Sequence, residues 1–221
     1  MKANIYIDGF NLYYRALRGQ PYDLKWLDLS KLSAALVPGH EINRIRYFTA
    51  KVSSTAADPT QNSRQQSYLR ALETIPNLSI AYGIFKNREK RGSLVKPIAG
   101  SPHVVRIKVW EEKGSDVNLA SHLLVDGFQD DYDFAVVISN DTDLVEPIRL
   151  VQSTLGLDVW VVNPSPPPAK KGQRDNNRMH QDLRNVASVS RRIYVSTLRK
   201  SQFPNPLIDA DGRTITKPAS W

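Results

Sequence analysis

Residues 134–139, Phe-Ala-Val-Val-Ile-Ser, form a near-continuous apolar run that stops at Asn140-Asp141-Thr142-Asp143. A strand of this kind is buried on both faces, and a chain buries both faces of a strand by laying helices on each side of a sheet. Asp158 to Val162 repeats the pattern. Residues 3–8, 42–50 and 78–85 are β-prone as well, and the first of them ends at the turn Asp8-Gly9. Between these runs the apolar spacing is helical. Leu27 to Leu36 ends at Pro38-Gly39, Pro59 to Ile75 ends at Pro76-Asn77, Ser115 to Phe128 is opened by Ser115 or Asp116 as a cap, and Leu144 to Leu155 ends at Gly156. A further helix starts at Asn11 and runs to Ala16. Strands alternating with helices predict an α/β fold with a mostly parallel sheet over residues 1–163.

A Pro-rich linker follows at 164–172, and then a basic C-terminal extension, 173–221, is expected. Its segments 173–187 and 190–200 read as two helices with basic faces, and Asp211-Gly212 marks a short hairpin within 207–216. The terminal Trp221 argues that the extension packs back on the core. Charge divides the same way: residues 1–162 carry 19 Lys and Arg against 18 Asp and Glu, whereas 163–221 carry 11 against 4. A near-neutral body with a cationic tail fits an acidic pocket beside a surface for a polyanion such as RNA. The absence of cysteine excludes a disulfide scaffold, a thiolate zinc site and a cysteine nucleophile. With no apolar run approaching the ~20 residues of a membrane span, the expectation is a cytoplasmic protein without a membrane partner.

In open α/β sheets ligands bind beyond the carboxyl ends of the strands. Asp8 ends the first strand, Asp141 and Asp143 follow the 134–139 strand, and Asp116 starts the helix before it. If the 3–8 and 134–139 strands are neighbours, all four carboxylates face one pocket. Crowded carboxylates repel unless a cation or protons neutralise them. Oxygen donors, with His40, His103, His122 and His180 scattered, favour Mg2+ or Mn2+ over zinc.

Three segments carry a family resemblance: Tyr6-Ile7-Asp8-Gly9-Phe10-Asn11-Leu12, Glu112 to Ala120 (Glu-Lys-Gly-Ser-Asp-Val-Asn-Leu-Ala), and Val137 to Leu144 (Val-Ile-Ser-Asn-Asp-Thr-Asp-Leu). In this order they resemble the NYN domain, a branch of the PIN-like nuclease superfamily. The resemblance implies a three-layer α/β/α fold and a Mg2+- or Mn2+-dependent ribonuclease that hydrolyses RNA phosphodiesters, most simply as an endoribonuclease. Asp8, Asp116, Asp141 and Asp143 would then hold metal or orient water, and Asn11 would be a pocket residue fixing the first acidic loop. Asn140 departs from the small residue or Gly of many relatives.

Lys86 to Lys96, with Gly92 near its centre, and the β-prone run Val104 to Trp110 that follows read as a basic hairpin; its cations Lys86, Arg88, Lys90, Arg91 and Lys96, and those of the tail, Arg174, Arg178, Arg184, Arg191 and Arg192, are the candidates for RNA contacts. Tyr13 and Tyr14 are candidates for stacking an unpaired base, while Trp26, Trp110 and Trp160 read as core or hairpin-packing residues. Two other functions remain open at this level: a non-catalytic RNA-binding adaptor that kept the fold, and the toxin of a toxin-antitoxin pair. Self-association as a homodimer is left open too.

Overall fold

The structure, a computed structural model, describes residues 1–20, 23–96, 100, 102–168 and 173–221. In chain order the elements are β1 (Lys2–Asp8), α1 (Gly9–Leu12) continued by a π-type turn (Tyr13–Leu17), α2 (Leu29–Leu36), β2 (Glu41–Ala50), α3 (Gln61–Glu73), β3 (Leu78–Ser93), β4 (Val104–Lys113) and α4 (Ser115–Phe128). They continue with β5 (Phe134–Ile138), α5 (Val145–Leu150) between a 3-10 turn and a second π-type turn, β6 (Asp158–Asn163), α6 (Gln181–Val186), β7 (Val189–Arg192), α7 (Val195–Lys200) and the small hairpin β8 (Leu207–Ile208) with β9 (Thr214–Ile215).

The central sheet has seven strands in the order β4-β3-β2-β1-β5-β6-β7, parallel except for β4, which runs antiparallel to β3. The period-2 alternation of strand side chains divides the interior in two. Ile5, Ile7, Val136 and Ile138 face a core completed by Leu29 and Leu32 of α2 and Leu69 and Leu72 of α3. Tyr6, Ala135, Val137 and Val161 face the opposite core, with Leu119 and Leu123 of α4, Ile148 of α5 and Leu183 of α6. The result is the expected three-layer α/β/α arrangement.

α4 is tied to the sheet by a polar link within the second core. The Tyr6 hydroxyl donates to Asp126 at 2.7 Å, and the Arg46 guanidinium grips the same carboxylate at 2.6 and 2.7 Å. Burial of the pair is tolerable because each group is satisfied by the other.

Two expectations change. The 190–200 segment is not one helix: Val189–Arg192 adds a seventh strand at the sheet edge, pairing with Trp160–Asn163, and the helix is confined to Val195–Lys200. Alternation and the free edge of β6 override the helix preference of its arginines, and Ile193 is buried at the strand's end. Likewise 173–187 is helical only at Gln181–Val186, so the extension is not simply helical. Of the linker, residues 169–172 lie outside the described residues. Its first part is packed rather than free: Ser165 is buried, and Arg192 holds the carbonyls of Ser165 and Pro166. The 207–216 hairpin forms as expected, with Asp211-Gly212 in its turn. Among the described residues no helix is long and apolar enough to cross a membrane.

Candidate active site

β1 and β5 are neighbours, so the point where the parallel strand order reverses lies between Asp8 and Ser139. Adjacent connections leave opposite faces of the sheet there, and the crevice that opens is where such folds bind ligands. A cleft of about 370 Å³ occupies it.

Asp8, almost fully buried, caps α1. Its Oδ1 accepts from the Asn11 N–H at 2.9 Å and its Oδ2 from the Ser139 hydroxyl at 2.9 Å. Burial pushes its pKa up against the pull of these donors, and the Asp141 charge adds to the rise. The Ser139 hydroxyl accepts from the Asp141 N–H at 3.1 Å, and the Asn11 side-chain oxygen accepts from the Asn140 N–H at 3.1 Å. Asn11 therefore locks the loop after β1 to the loop after β5. It is a positioning residue.

Asp116 was expected either to cap α4 or to face the pocket, and the cap is made by another residue. Gly114 takes the left-handed conformation (φ 98°) before the helix, and Glu112 accepts from Ser115 N–H at 3.1 Å and Ser115 hydroxyl at 2.7 Å. Asp116 is released to the cleft, half-buried. Its carboxyl is pushed up to about 6, first by desolvation and then by the charges of Asp8, Asp141, Glu112 and Asp143.

Asp8, Asp116 and Asp141 thus line one cleft, whereas Asp143 does not line it. Asp143 is exposed in the turn Thr142–Leu144, its N–H donating to Asp141 Oδ1 at 3.0 Å. Among the described residues no three His, Asp or Glu side chains close into a cage that would hold a cation alone. Magnesium needs no such cage, since one or two carboxylates with water and substrate oxygens suffice. A hard-oxygen donor set whose members raise one another's pKa fits such an ion.

The other wall is aromatic: Phe10, Tyr14, Phe85 and Trp110 line the cleft with Arg15. Asn11, Tyr14 and Arg15 reach it together because helical spacing stacks i, i+3 and i+4 on one face. Trp110, read from sequence as a packing residue, is instead 59% exposed at the cleft, while Trp26 is buried as expected.

The hairpin cations split. β3 and β4 pair from Ile84 with Lys113 out to Ser93 with Val104, so Phe85, Asn87, Glu89 and Arg91 share a face with Glu112, Trp110, Lys108 and Arg106. That is the cleft face. Lys86, Arg88 and Lys90 point to the other face, where Lys90 pairs with Glu111. Of the five hairpin cations proposed for RNA, Arg91 shares the cleft's side, Lys96 lies beyond the paired part of the ribbon, and Arg106 and Lys108 join Arg91. The alternation of 104–113 could have given this, had the pairing register been known.

In the tail, Arg178, Arg184, Arg191 and Arg192 line a second cavity of about 500 Å³. Two of these are committed to structure: Arg191 stacks on Trp160 and binds the Leu36 carbonyl, and Arg192 is paired with Asp175. Arg178 and Arg184 are exposed, as is Arg174, which lies outside the cavity. Asn140 links this region to the cleft, donating to the Arg178 carbonyl at 3.1 Å and accepting from the His180 N–H at 2.8 Å.

Residues 2–187 match the family model described as NYN domain. The 6-hydroxy-3-succinoylpyridine 3-monooxygenase HspA of Pseudomonas putida (strain DSM 28022 / S16) is 32% identical over 247 aligned positions, covering all of this chain and 75% of that protein. A crystal structure of a protein of unknown function, VPA0982, from Vibrio parahaemolyticus RIMD 2210633, matches with a TM-score of 0.53 at 15% identity. The match covers 88% of this chain and 93% of that one, and the likeness is one of fold.

Proposed function

The chain belongs to the NYN domain family, within the PIN-like nuclease superfamily, and on that premise we propose that it is a metal-dependent ribonuclease. The observation that carries the reading is the meeting of Asp8, Asp116 and Asp141 in one open cleft at the sheet's switch point. A pocket of that charge repels a phosphodiester unless a cation intervenes. Mg2+ or Mn2+, when bound, supplies charge neutralisation at phosphorus and activation of water for in-line attack.

The chain's own residues do the rest. Asp8, Asp116 and Asp141 hold the ion, and Ser139 and Asn11 fix the first and third of these acids. Glu112 anchors the start of α4, so that Asp116 keeps its direction. Asp143, set back from the cleft, acts at most through Asp141. Arg15, which lines the cleft beside the acids, would meet a phosphate oxygen, and Arg178 and Arg184, which line the neighbouring cavity that Asn140 links to the cleft through Arg178, would meet the flanking backbone.

A second reading comes from the 32% identical relative, which is named for the oxygenation of a hydroxypyridine. The aromatic wall of the cleft is the observation that favours it, because a flat heteroaromatic ring fits against such a wall. The test is cleavage of labelled single-stranded RNA, structured RNA and single-stranded DNA with Mg2+, Mn2+ or EDTA, beside an Asp141→Ala variant. A parallel arm follows oxygen-dependent consumption of 6-hydroxy-3-succinoylpyridine. Metal-dependent RNA cleavage lost in the variant supports the nuclease. RNA binding without cleavage by either protein moves the reading to an adaptor, and turnover of the pyridine alone moves it to the relative's chemistry.

A further inference from the structure

Two large aromatic side chains at the mouth of the cleft are more than half exposed: Trp110 at 59% and Tyr14 at 54%. Single exposed aromatics are ordinary, but two on opposite elements lining one cavity call for a ligand. Their surroundings differ from those of packing residues. Trp26, Trp160 and Trp221 each contact another ring, whereas among the described residues Trp110 has no ring or cation partner. Tyr14 is braced from behind, with Phe10 at 6.4 Å, Tyr13 edge-on at 5.3 Å and the Arg18 guanidinium at 5.2 Å. These contacts hold the ring, and more than half of the residue's surface nevertheless remains exposed.

We propose that Trp110 and Tyr14 form a stacking clamp for an unpaired nucleobase at the mouth of the carboxylate cleft, and are thereby the residues through which this chain selects a single strand over a duplex. This rests on the nuclease reading and narrows it. A base within a duplex has both faces covered by its neighbours, and only an unstacked base can enter between two side chains. The cleft's volume, about 370 Å³, lies within the ~300–1,000 Å³ typical of small-ligand sites. Lys108 and Arg91, further out on the face that carries Trp110, extend a cationic path for the flanking strand. Stacking is indifferent to base identity, so the clamp selects for strandedness and not for sequence.

The test measures binding in EDTA, where cleavage plays no part. Fluorescence anisotropy with a labelled single-stranded RNA and with the matching duplex is compared for wild type, Trp110→Ala, Trp110→Phe and Tyr14→Ala, with melting temperatures recorded for each. The clamp predicts preference for the single strand, a roughly tenfold or greater loss in each alanine variant at unchanged melting temperature, and partial recovery in Trp110→Phe. Equal affinity of Trp110→Ala and wild type, or equal binding of duplex and single strand, overturns it. Quenching of Trp110 by 6-hydroxy-3-succinoylpyridine without any RNA binding overturns the nucleobase assignment. If the single strand binds through Trp110 yet is never cut, the clamp stands and the nuclease reading falls.

Discussion

Asp116 is the residue at which structure and function pull against each other. Its folded pKa is raised to about 6 from 3.8, so the ionised form is the costly one. The cost is absent below the unfolded value and grows as pH rises through about 6. A two-unit shift corresponds to about 3 kcal/mol, but the side chain is half exposed and solvent screening reduces this to about 1 kcal/mol. Asp116→Asn is therefore expected to raise the melting temperature of the metal-free protein at pH 8 and to leave it unchanged near pH 3, as differential scanning calorimetry will register. Added Mg2+ should narrow the gap at pH 8 by stabilising only the wild type. The acids themselves were legible from the sequence, since strand ends and turn residues mark them. Their division was not: Asp141 and Asp143 are two residues apart, yet only the first lines the cleft, because the 3-10 turn directs the second to solvent.

At the scale of elements, the start of α4 is the part on which the cleft depends. Gly83 of β3 lies directly beneath it. A Cβ at that position would collide with the Glu112 carboxylate and come within 2.7 Å of the Lys113 carbonyl. Gly83→Ala should displace the Glu112–Ser115 cap and with it Asp116, at a cost of about 1–3 kcal/mol. The measurable outcome is a lowered melting temperature together with at least a tenfold fall in RNA cleavage. Strands and helices of the body were readable because both-face burial and helical spacing are local signals. β7 was not, because its stability comes from the vacant edge of β6 rather than from Val-Ser-Arg-Arg itself. The two faces of the β3–β4 ribbon were hidden for the same kind of reason: which cations share the side of Trp110 depends on a register set across the ribbon.

Over the whole molecule, the C-terminal segment closes the first core. Trp26 donates its indole N–H to the Pro204 carbonyl at 3.1 Å, and Trp221 packs edge-on against both Trp26 and Tyr68. Trp221→Ala should cost about 1–3 kcal/mol, less than a fully buried aromatic would. Urea unfolding will show this as a lower midpoint, with the metal dependence of activity unchanged. The positive charge of the extension has a separate consequence. If Arg178 and Arg184 meet phosphates, RNA affinity falls with salt, and replacing both with Ala makes the slope of log K against log salt shallower by about 1–2. An unaltered slope would remove both residues from the RNA path.

The central claim is that the carboxylates of one cleft act as a unit on a divalent ion to cut RNA. It is tested most directly by single-turnover cleavage of a single-stranded RNA across a Mn2+ titration, using wild type, Asp8→Asn, Asp141→Asn and the double variant. Each single change is expected to lower the rate by about 100-fold or more, with the double variant little worse than either, since residues that serve one ion are not additive. Undiminished cleavage in both single variants, or cleavage by the wild type that persists in EDTA, would contradict the account.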